Sequence, residues 1–337
     1  MEQLPERRTG DSSLRLATDE PLPLVLEAAG PNARFAYEEF LSELSENSLI
    51  AYRRALFRFF AHLEDQGLEL RDVGPKHVRS YIQGLQATIR TKRGEEPRTK
   101  PASKPTKKLH LAALRHFFDK AVQRHAMLLN PALSVRGPKH SVTTGKTKGL
   151  GLRQARKLLR SIDVTTPIGL RDRAIIATLL YTAARRGAVS KLRRKDFHTD
   201  GRQHYFEFDE KGGKQRTIPC REDLERYMNA YLEVAPPMQP DDPVFRTARG
   251  RNQELADGGI TGDDVLRMFK RRLKAAGLPT TFSCHSCRKA TATNLLEQGV
   301  ELADVQNFLG HADPRTTKLY DAREMTVTRN LVERIGI

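Results

Sequence analysis

Tryptophan is missing from these 337 residues, and cysteine occurs only at Cys220, Cys284 and Cys287. Three thiols cannot build the disulfide framework of a small secreted domain, and a reducing compartment suits them best. Long apolar runs are scarce as well. The longest nearly apolar one, AIIATLLYTAA from Ala174, is far too short to cross a bilayer. The opening stretch, MEQLPERRTGDSSLRLATDEPLPL, mixes charges with prolines and has no apolar core of signal-peptide length. The expectation is therefore a cytoplasmic protein with no membrane part. Acidic residues are in the minority: Lys plus Arg outnumber Asp plus Glu by 58 to 41, a formal net charge of +17. Such an excess points to a polyanionic partner. The length allows two domains, each with a sizeable core.

Residues 1–30 are polar, contain Pro5, Pro21 and Pro23, and show no sustained period, so they read as a flexible tail. Helical patterns begin near Ala36. In ENSLIAYRRALFRFFAHLEDQG, Tyr52, Leu56, Phe59, Phe60 and Leu63 form one apolar stripe, Arg53, Arg54 and Arg58 point elsewhere, and Gly67 supplies the stop. VGPKHVRSYIQGLQA reads as a further helix. PTKKLHLAALRHFFDKAVQRHAM reads as another, with Leu111, Leu114, Phe118 and Val122 inward and Lys107, Lys108 and Arg115 open to solvent. Between these two helices, TIRTKRGEEPRTKPASKPTKK reads as a Pro-interrupted basic loop, either disordered or laid along a phosphate backbone. Ordinary solvation is the plainer reading of each basic face, and Arg53, Lys107, Lys108 and Arg115 are the candidates for contact with a polyanion.

The texture changes at residues 139–149, where Gly, Thr and Lys replace helical period, and this stretch reads as a linker. Beyond it, helices are expected at 151–162 and from Ala174 to Ala184. HYFEFDEKGGKQRTIP alternates around Gly212-Gly213 and predicts a β-hairpin. ITGDDVLRMFKRRLKAAG opens with a T-x-x-D capping box and closes on Gly277, and VELADVQNFLGH closes on Gly310. The pattern is an all-helical basic domain over 31–138, joined to a mainly helical domain over 150–322 with a small sheet and a terminal segment at 323–337.

FSCHSCRKAT, residues 282–291, holds a C-x-x-C pair. A zinc site needs more ligands than lie nearby, and a redox dithiol belongs where a strand enters a helix, whereas a basic helical pattern precedes this pair. The flanking residues carry more chemistry. His285 and Arg288, three apart at a helix start, share one face, and a histidine beside a guanidinium at a helix N-terminus suits a phosphate. LGHADPRTTKLYDAR then brings His311, a new helix with Asp313 as N-cap and Pro314 at its first position, and Tyr320 nine residues after that histidine.

H-x-x-R, then L-G-H, then a tyrosine nine residues on resembles the C-terminal signature of the tyrosine recombinases of the phage-integrase family. Upstream, YTAARRGAVSKL resembles the family's Y-T-G-x-R stretch and maps Arg185 onto its first catalytic arginine. DEKGGKQRTIP resembles the hairpin motif G-K-G-x-K-x-R-x-x-P and maps Lys211 onto the catalytic lysine. The chain departs from the family pattern at Ala183, commonly Gly; at Ala188, where a Glu is usual; and at Cys287, commonly an apolar residue. On this reading Cys284 and Cys287 are small packing residues. The resemblance reaches from about Ala36 onward and implies a mainly α fold: a SAM-like helical core-binding N-terminal domain, then a mixed, mostly helical catalytic domain with a small antiparallel sheet.

The residue types suit the reaction that the resemblance implies. Tyr320 would be the nucleophile, holding the cut strand as a 3′-phosphotyrosyl ester. Arg185 and Arg288 would supply the positive field, their planar forks gripping the non-bridging oxygens. His285 is the candidate base, His311 the phosphate donor, and Lys211 the acid for the leaving 5′ oxygen. With this many fixed cations no cofactor or metal is called for, and no cluster of Asp and Glu suited to magnesium stands in the sequence. Implied partners are double-stranded DNA at specific sites and further copies of the chain, as a tetramer on two paired sites, with room for DNA-bending accessory proteins and a nucleoid location. The 323–337 segment would dock on a neighbouring protomer. A mobile-element integrase is preferred over a housekeeping chromosome-dimer resolvase as the role; a type IB topoisomerase and a DNA-binding protein without catalysis are the alternative activities.

Overall fold

The computed structural model of the protein describes residues 22–89, 96–139, 149–210, 214–249 and 254–310. The chain divides into two compact units, Met1–Ser141 and Val142–Ile337, and the division falls within the 139–149 stretch. Among the described residues no helix is long and apolar enough to cross a membrane.

The N-terminal unit is built from α1 (Leu24–Ala28), α2 (Pro31–Ser42), α3 (Glu46–Glu64), α4 (Pro75–Gly84) and α5 (Lys104–Gln123). The apolar stripe of α3 turns inward as its spacing predicts: Leu56, Phe59, Phe60 and Leu63 are fully buried. They meet Leu111, Leu114, Phe117 and Phe118 of α5, with Phe60 and Phe117 edge to face at 5.3 Å between ring centres. Ser103 caps α5 by accepting from the Thr106 amide, and Gly67 leaves α3 at φ +62°, the left-handed turn for which glycine is suited. At the α2–α5 surface Glu39 and Glu43 face Lys120, Arg124 and His116, with Lys120 to Glu43 at 2.5 Å and Arg124 to Glu39 at 2.6 Å.

Two expectations are corrected here. The end of the supposed tail is folded, because Val25 and Leu26 of α1 are buried in the core; their apolar run is too short to show a period. The supposed loop between α4 and α5 contains an antiparallel ribbon, β1 (Gln86–Ile89) paired with β2 (Arg98–Pro101). Its β2 residues are all exposed, so it lacks the half-buried alternation that marks a strand in sequence.

The second unit holds α6 (Leu152–Arg160), α7 (Pro167–Tyr181), α8 (Arg186–Lys191), α9 (Glu222–Leu232), α10 (Gly262–Ala275), α11 (Cys284–Glu297) and α12 (Leu302–Leu309). The expected hairpin is β4 (His204–Glu210) with β5 (Lys214–Pro219), Glu210 opposite Lys214, and β3 (Phe197–Thr199) extends it to three strands. A second hairpin, β6 (Arg246–Arg249) with β7 (Glu254–Gly259), had no alternating signal. The buried helix α7 is the spine of this unit, and its Asp172 is wholly enclosed. That carboxylate accepts from the adjacent Arg171 at 2.7 Å, from Arg271 at 3.1 Å and from Arg272 at 2.8 Å, pinning α10 to α7. Thr261 and Asp264 form the capping box expected at the start of α10, and Gly277 follows that helix at φ +64°.

Candidate active site

The site begins where α7 ends. Thr182 is buried and donates its hydroxyl back to the Thr178 carbonyl at 2.7 Å. Ala183 then turns the chain at φ +51°, a left-handed conformation that costs a residue with a Cβ about 1–2 kcal/mol. This is the position where the glycine of the resembled motif would stand, and the backbone adopts the glycine-like turn without one. The turn delivers Arg185, exposed, to the N-cap of α8. Its neighbour Arg186 is directed to Asp263 at 3.0 Å, which separates the two adjacent arginines by environment.

Helix α11 supplies the second group. His285 stands in its first turn, and Arg288, one turn on, is only 1 % exposed. The Arg288 guanidinium donates from Nη1 to the Ala183 carbonyl at 2.6 Å and from Nη2 to the Leu309 carbonyl. Thr291 donates to the Leu180 carbonyl and so ties α11 to the end of α7. His285 is exposed at the surface, and its pKa lies below the ordinary value of 6.5, first because the protein packed along the ring displaces part of its water, then because the charges of Arg288, Arg185 and Lys289 disfavour an imidazolium. The structure therefore brings Arg185, His285 and Arg288 within one electrostatic field, and leaves the imidazole neutral near pH 7, able to accept a proton.

Cys284 and Cys287 lie inside the core of this unit; burial raises the Cys284 thiol to about 11 and the Cys287 thiol well above its usual value. Both remain protonated thiols at neutral pH, packed among apolar neighbours. Among the described residues no group of three His, Cys, Asp or Glu could hold a metal ion. Lys211, His311 and Tyr320 lie outside the described residues. For two of them a neighbour is described: β4 ends at Glu210, one residue before Lys211, with β5 resuming at Lys214, and Gly310, at φ +64°, ends α12 one residue before His311.

One residue of the site was missed in sequence. Arg216 of β5 donates from Nη1 to the Thr182 carbonyl at 3.1 Å and to the Phe308 carbonyl at 2.6 Å, with its guanidinium 5.2 Å from the centre of the Phe208 ring. The signal was available as the arginine of the hairpin motif, but only the lysine was assigned from it.

The candidate DNA-contacting residues differ in what they do. Arg53 lies over the Phe57 ring at 5.2 Å. Lys107 donates to the Gln83 carbonyl at 2.6 Å, and Lys108 is exposed. Arg115 is corrected: it is half-buried, and it donates to the Ala132 carbonyl at 3.2 Å and the Val135 carbonyl at 2.6 Å. It lies beside the segment after α5, whose bare carbonyls need donors.

Comparison with known proteins adds to this geometry. The sequence profile of the phage integrase family matches residues 150–326, and that of the phage integrase N-terminal SAM-like domain matches residues 36–125. A relative named tyrosine recombinase XerD, from Listeria innocua, is 32 % identical over 282 residues, covering 82 % of this chain and 88 % of its own length. The fold is similar to that of the XerH site-specific recombinase in a post-cleavage complex with a palindromic difH substrate, with TM-score 0.62, 20 % identity, and coverage of 85 % of this chain and 78 % of that one. It is also similar to a lambda integrase tetramer bound to a Holliday junction, with TM-score 0.60, 17 % identity, and coverage of 95 % and 85 %.

Proposed function

The chain belongs to the phage integrase family and is an enzyme of DNA strand breakage and rejoining; on that premise we propose that it is a site-specific recombinase in which Tyr320 attacks the scissile phosphate. The Tyr320 oxygen forms a bond to phosphorus as the bond to the 5′ oxygen breaks, leaving a 3′-phosphotyrosyl end and a free 5′ hydroxyl. His285 takes the tyrosine proton, Lys211 protonates the leaving oxygen, and His311 donates to the phosphate. Arg185 and Arg288 stabilise the charge that builds on the non-bridging oxygens. The observation that carries this reading is the junction at Arg288, whose guanidinium bonds the Ala183 carbonyl two residues before Arg185, while His285 stands three residues earlier on the same helix. A neutral base beside two permanent cations is what proton abstraction from tyrosine at a phosphate requires. A tyrosine ester conserves the energy of the broken bond, so rejoining needs no external energy source.

Double-stranded DNA is the proposed partner, with four protomers on two paired sites, in line with the solved neighbour that is a tetramer on a Holliday junction. Arg53, Lys107 and Lys108 are the proposed backbone contacts of the N-terminal unit, and Arg115 supports them by holding the segment after α5. Within the class we propose a mobile-element integrase, on the strength of the basic stretch between α4 and α5 and the charged N-terminal residues.

The test is covalent capture. Purified protein is mixed in EDTA with sheared DNA from its host and any resident mobile element, the mixture is denatured, and attached DNA is sequenced. Capture at a few discrete sites supports the reading, and sites at element ends support the mobile-element role. Even capture across all sequence contradicts it in favour of a type IB topoisomerase, and tight binding with no capture contradicts it in favour of a binder without catalysis.

A further inference from the structure

Two guanidiniums stitch the same pair of chain segments, and only one of them has a role in the reaction above. Arg288 bonds the carbonyls of Ala183 and Leu309, and Arg216 bonds the carbonyls one residue earlier on each segment, Thr182 and Phe308. The first segment leads in two residues to Arg185, and the second leads directly into His311. Arg216 comes from a third element, β5, and its guanidinium lies over Phe208 of β4, so the strand pair flanking Lys211 joins the same junction.

The two arginines face different demands. Arg288 gives one N–H from each terminal nitrogen to the Ala183 and Leu309 carbonyls and has to present its remaining donors to a phosphate without shifting. Those segments are kept in register by the bonds one residue away. Ala183 makes that support more important, because its left-handed turn is strained for a residue with a Cβ and relaxes if unsupported.

We propose that Arg216 is a positioning residue for strand cleavage: it clamps the segment entering Arg185 and the segment entering His311 to the β4–β5 strand pair, so that the junction around Arg288 keeps its place when a phosphate is engaged. Arg216 itself touches no reacting atom. The role rests on the recombinase reading above, since it positions the groups of that reaction.

The experiment uses the full chain and a duplex carrying a site captured by the wild type, nicked beside the cleavage position so that the released fragment diffuses away. Three quantities are read for wild type, Arg216→Gln and Arg216→Lys: the single-turnover rate of covalent attachment at saturating DNA, the DNA dissociation constant, and the thermal midpoint. The expected result is a rate lower by about 10–100-fold in Arg216→Gln, as for an ångström-scale misplacement of reacting groups. Affinity should stay within about threefold, because binding does not use the clamp. Arg216→Lys, which still offers donors to both carbonyls, should recover most of the rate. A wild-type rate in Arg216→Gln overturns the proposal, and so does a fall in rate matched by an equal fall in affinity that lysine does not rescue. Should the Gln variant fail to fold, Phe208→Leu, which removes the ring beneath the guanidinium, decides: slower attachment at unchanged affinity supports the clamp, and a wild-type rate overturns it. Wild-type protein that binds the duplex but forms no covalent product overturns the recombinase reading, and this role with it.

Discussion

The two units of this chain handle charge in opposite ways. Among the described residues of the N-terminal unit, the one buried basic side chain is His110, paired with the buried Tyr81 hydroxyl at 2.9 Å, while its arginines and lysines lie at or near the surface. The catalytic unit buries Arg171, Asp172, Arg246 and Arg288. A unit whose charges stay at its surface can rest on a core of aromatic rings. A unit that must hold positive charge against a phosphate needs guanidiniums anchored from within, and anchoring requires carbonyls and carboxylates in the interior to receive them. The N-terminal unit is accordingly held by shape, and the catalytic unit by shape plus a buried polar frame.

That contrast can be broken most severely at Asp172. Asp172→Ala leaves Arg171 and Arg272 facing one another without the carboxylate, and unfolding of the catalytic unit in urea should show a loss of about 3–5 kcal/mol. A loss below about 1 kcal/mol would mean that the buried frame contributes little. In the N-terminal unit, burial of His110 lowers its pKa to about 4 from 6.5. The folded form thus holds the neutral ring while the unfolded chain takes up a proton, so this contribution is intact above pH 6.5 and declines as pH falls toward 4. His110→Gln, which keeps a hydrogen bond to Tyr81 without titrating, should flatten stability against pH in that window by up to about 1.4 kcal/mol per pH unit; an identical slope would contradict this. Ala183→Gly relieves the left-handed turn and should raise catalytic-unit stability by roughly 0.5–1 kcal/mol, and a decrease would count against strain at that residue. The smallest effect is on the pH profile of cleavage. Because the His285 pKa is lowered, the acid limb of the single-turnover rate should fall below 6.5, and a limb above that value would place His285 outside the field of the arginines.

Sequence made the helices legible wherever burial has a period. The stripe of α3, the box at Thr261 and the glycine stops at Gly67, Gly277 and Gly310 all follow from local rules, and the left-handed φ of those glycines is the physical reason they end helices. The β4–β5 hairpin was legible because Phe206 and Phe208 alternate with exposed neighbours around a Gly-Gly pair. The β1–β2 ribbon was not, since no face of it is buried. The pattern H-x-x-R with L-G-H and tyrosine pointed to the family and to a candidate site, and the structure adds how the segments carrying Arg185, His285 and Arg288 meet. Solvent exposure was read less well: Arg115 sits in a polar helical position, and nothing local reveals that two carbonyls from 132 and 135 meet its guanidinium. Arg216 stands in the hairpin motif and so could be noticed in sequence, but its role could not, because its partners are 34 and 92 residues away along the chain.

The most direct test of the central claim, that the anchored arginines of the catalytic unit serve attack by one tyrosine, is peptide mapping of the covalent complex. Wild-type protein is trapped on a captured site, digested with trypsin and nuclease, and the nucleotide-bearing peptide is sequenced by mass spectrometry. The account predicts a phosphonucleotide on Tyr320 and none in the Tyr320→Phe variant. An adduct on any other residue, or one that persists in the Phe variant, would contradict it.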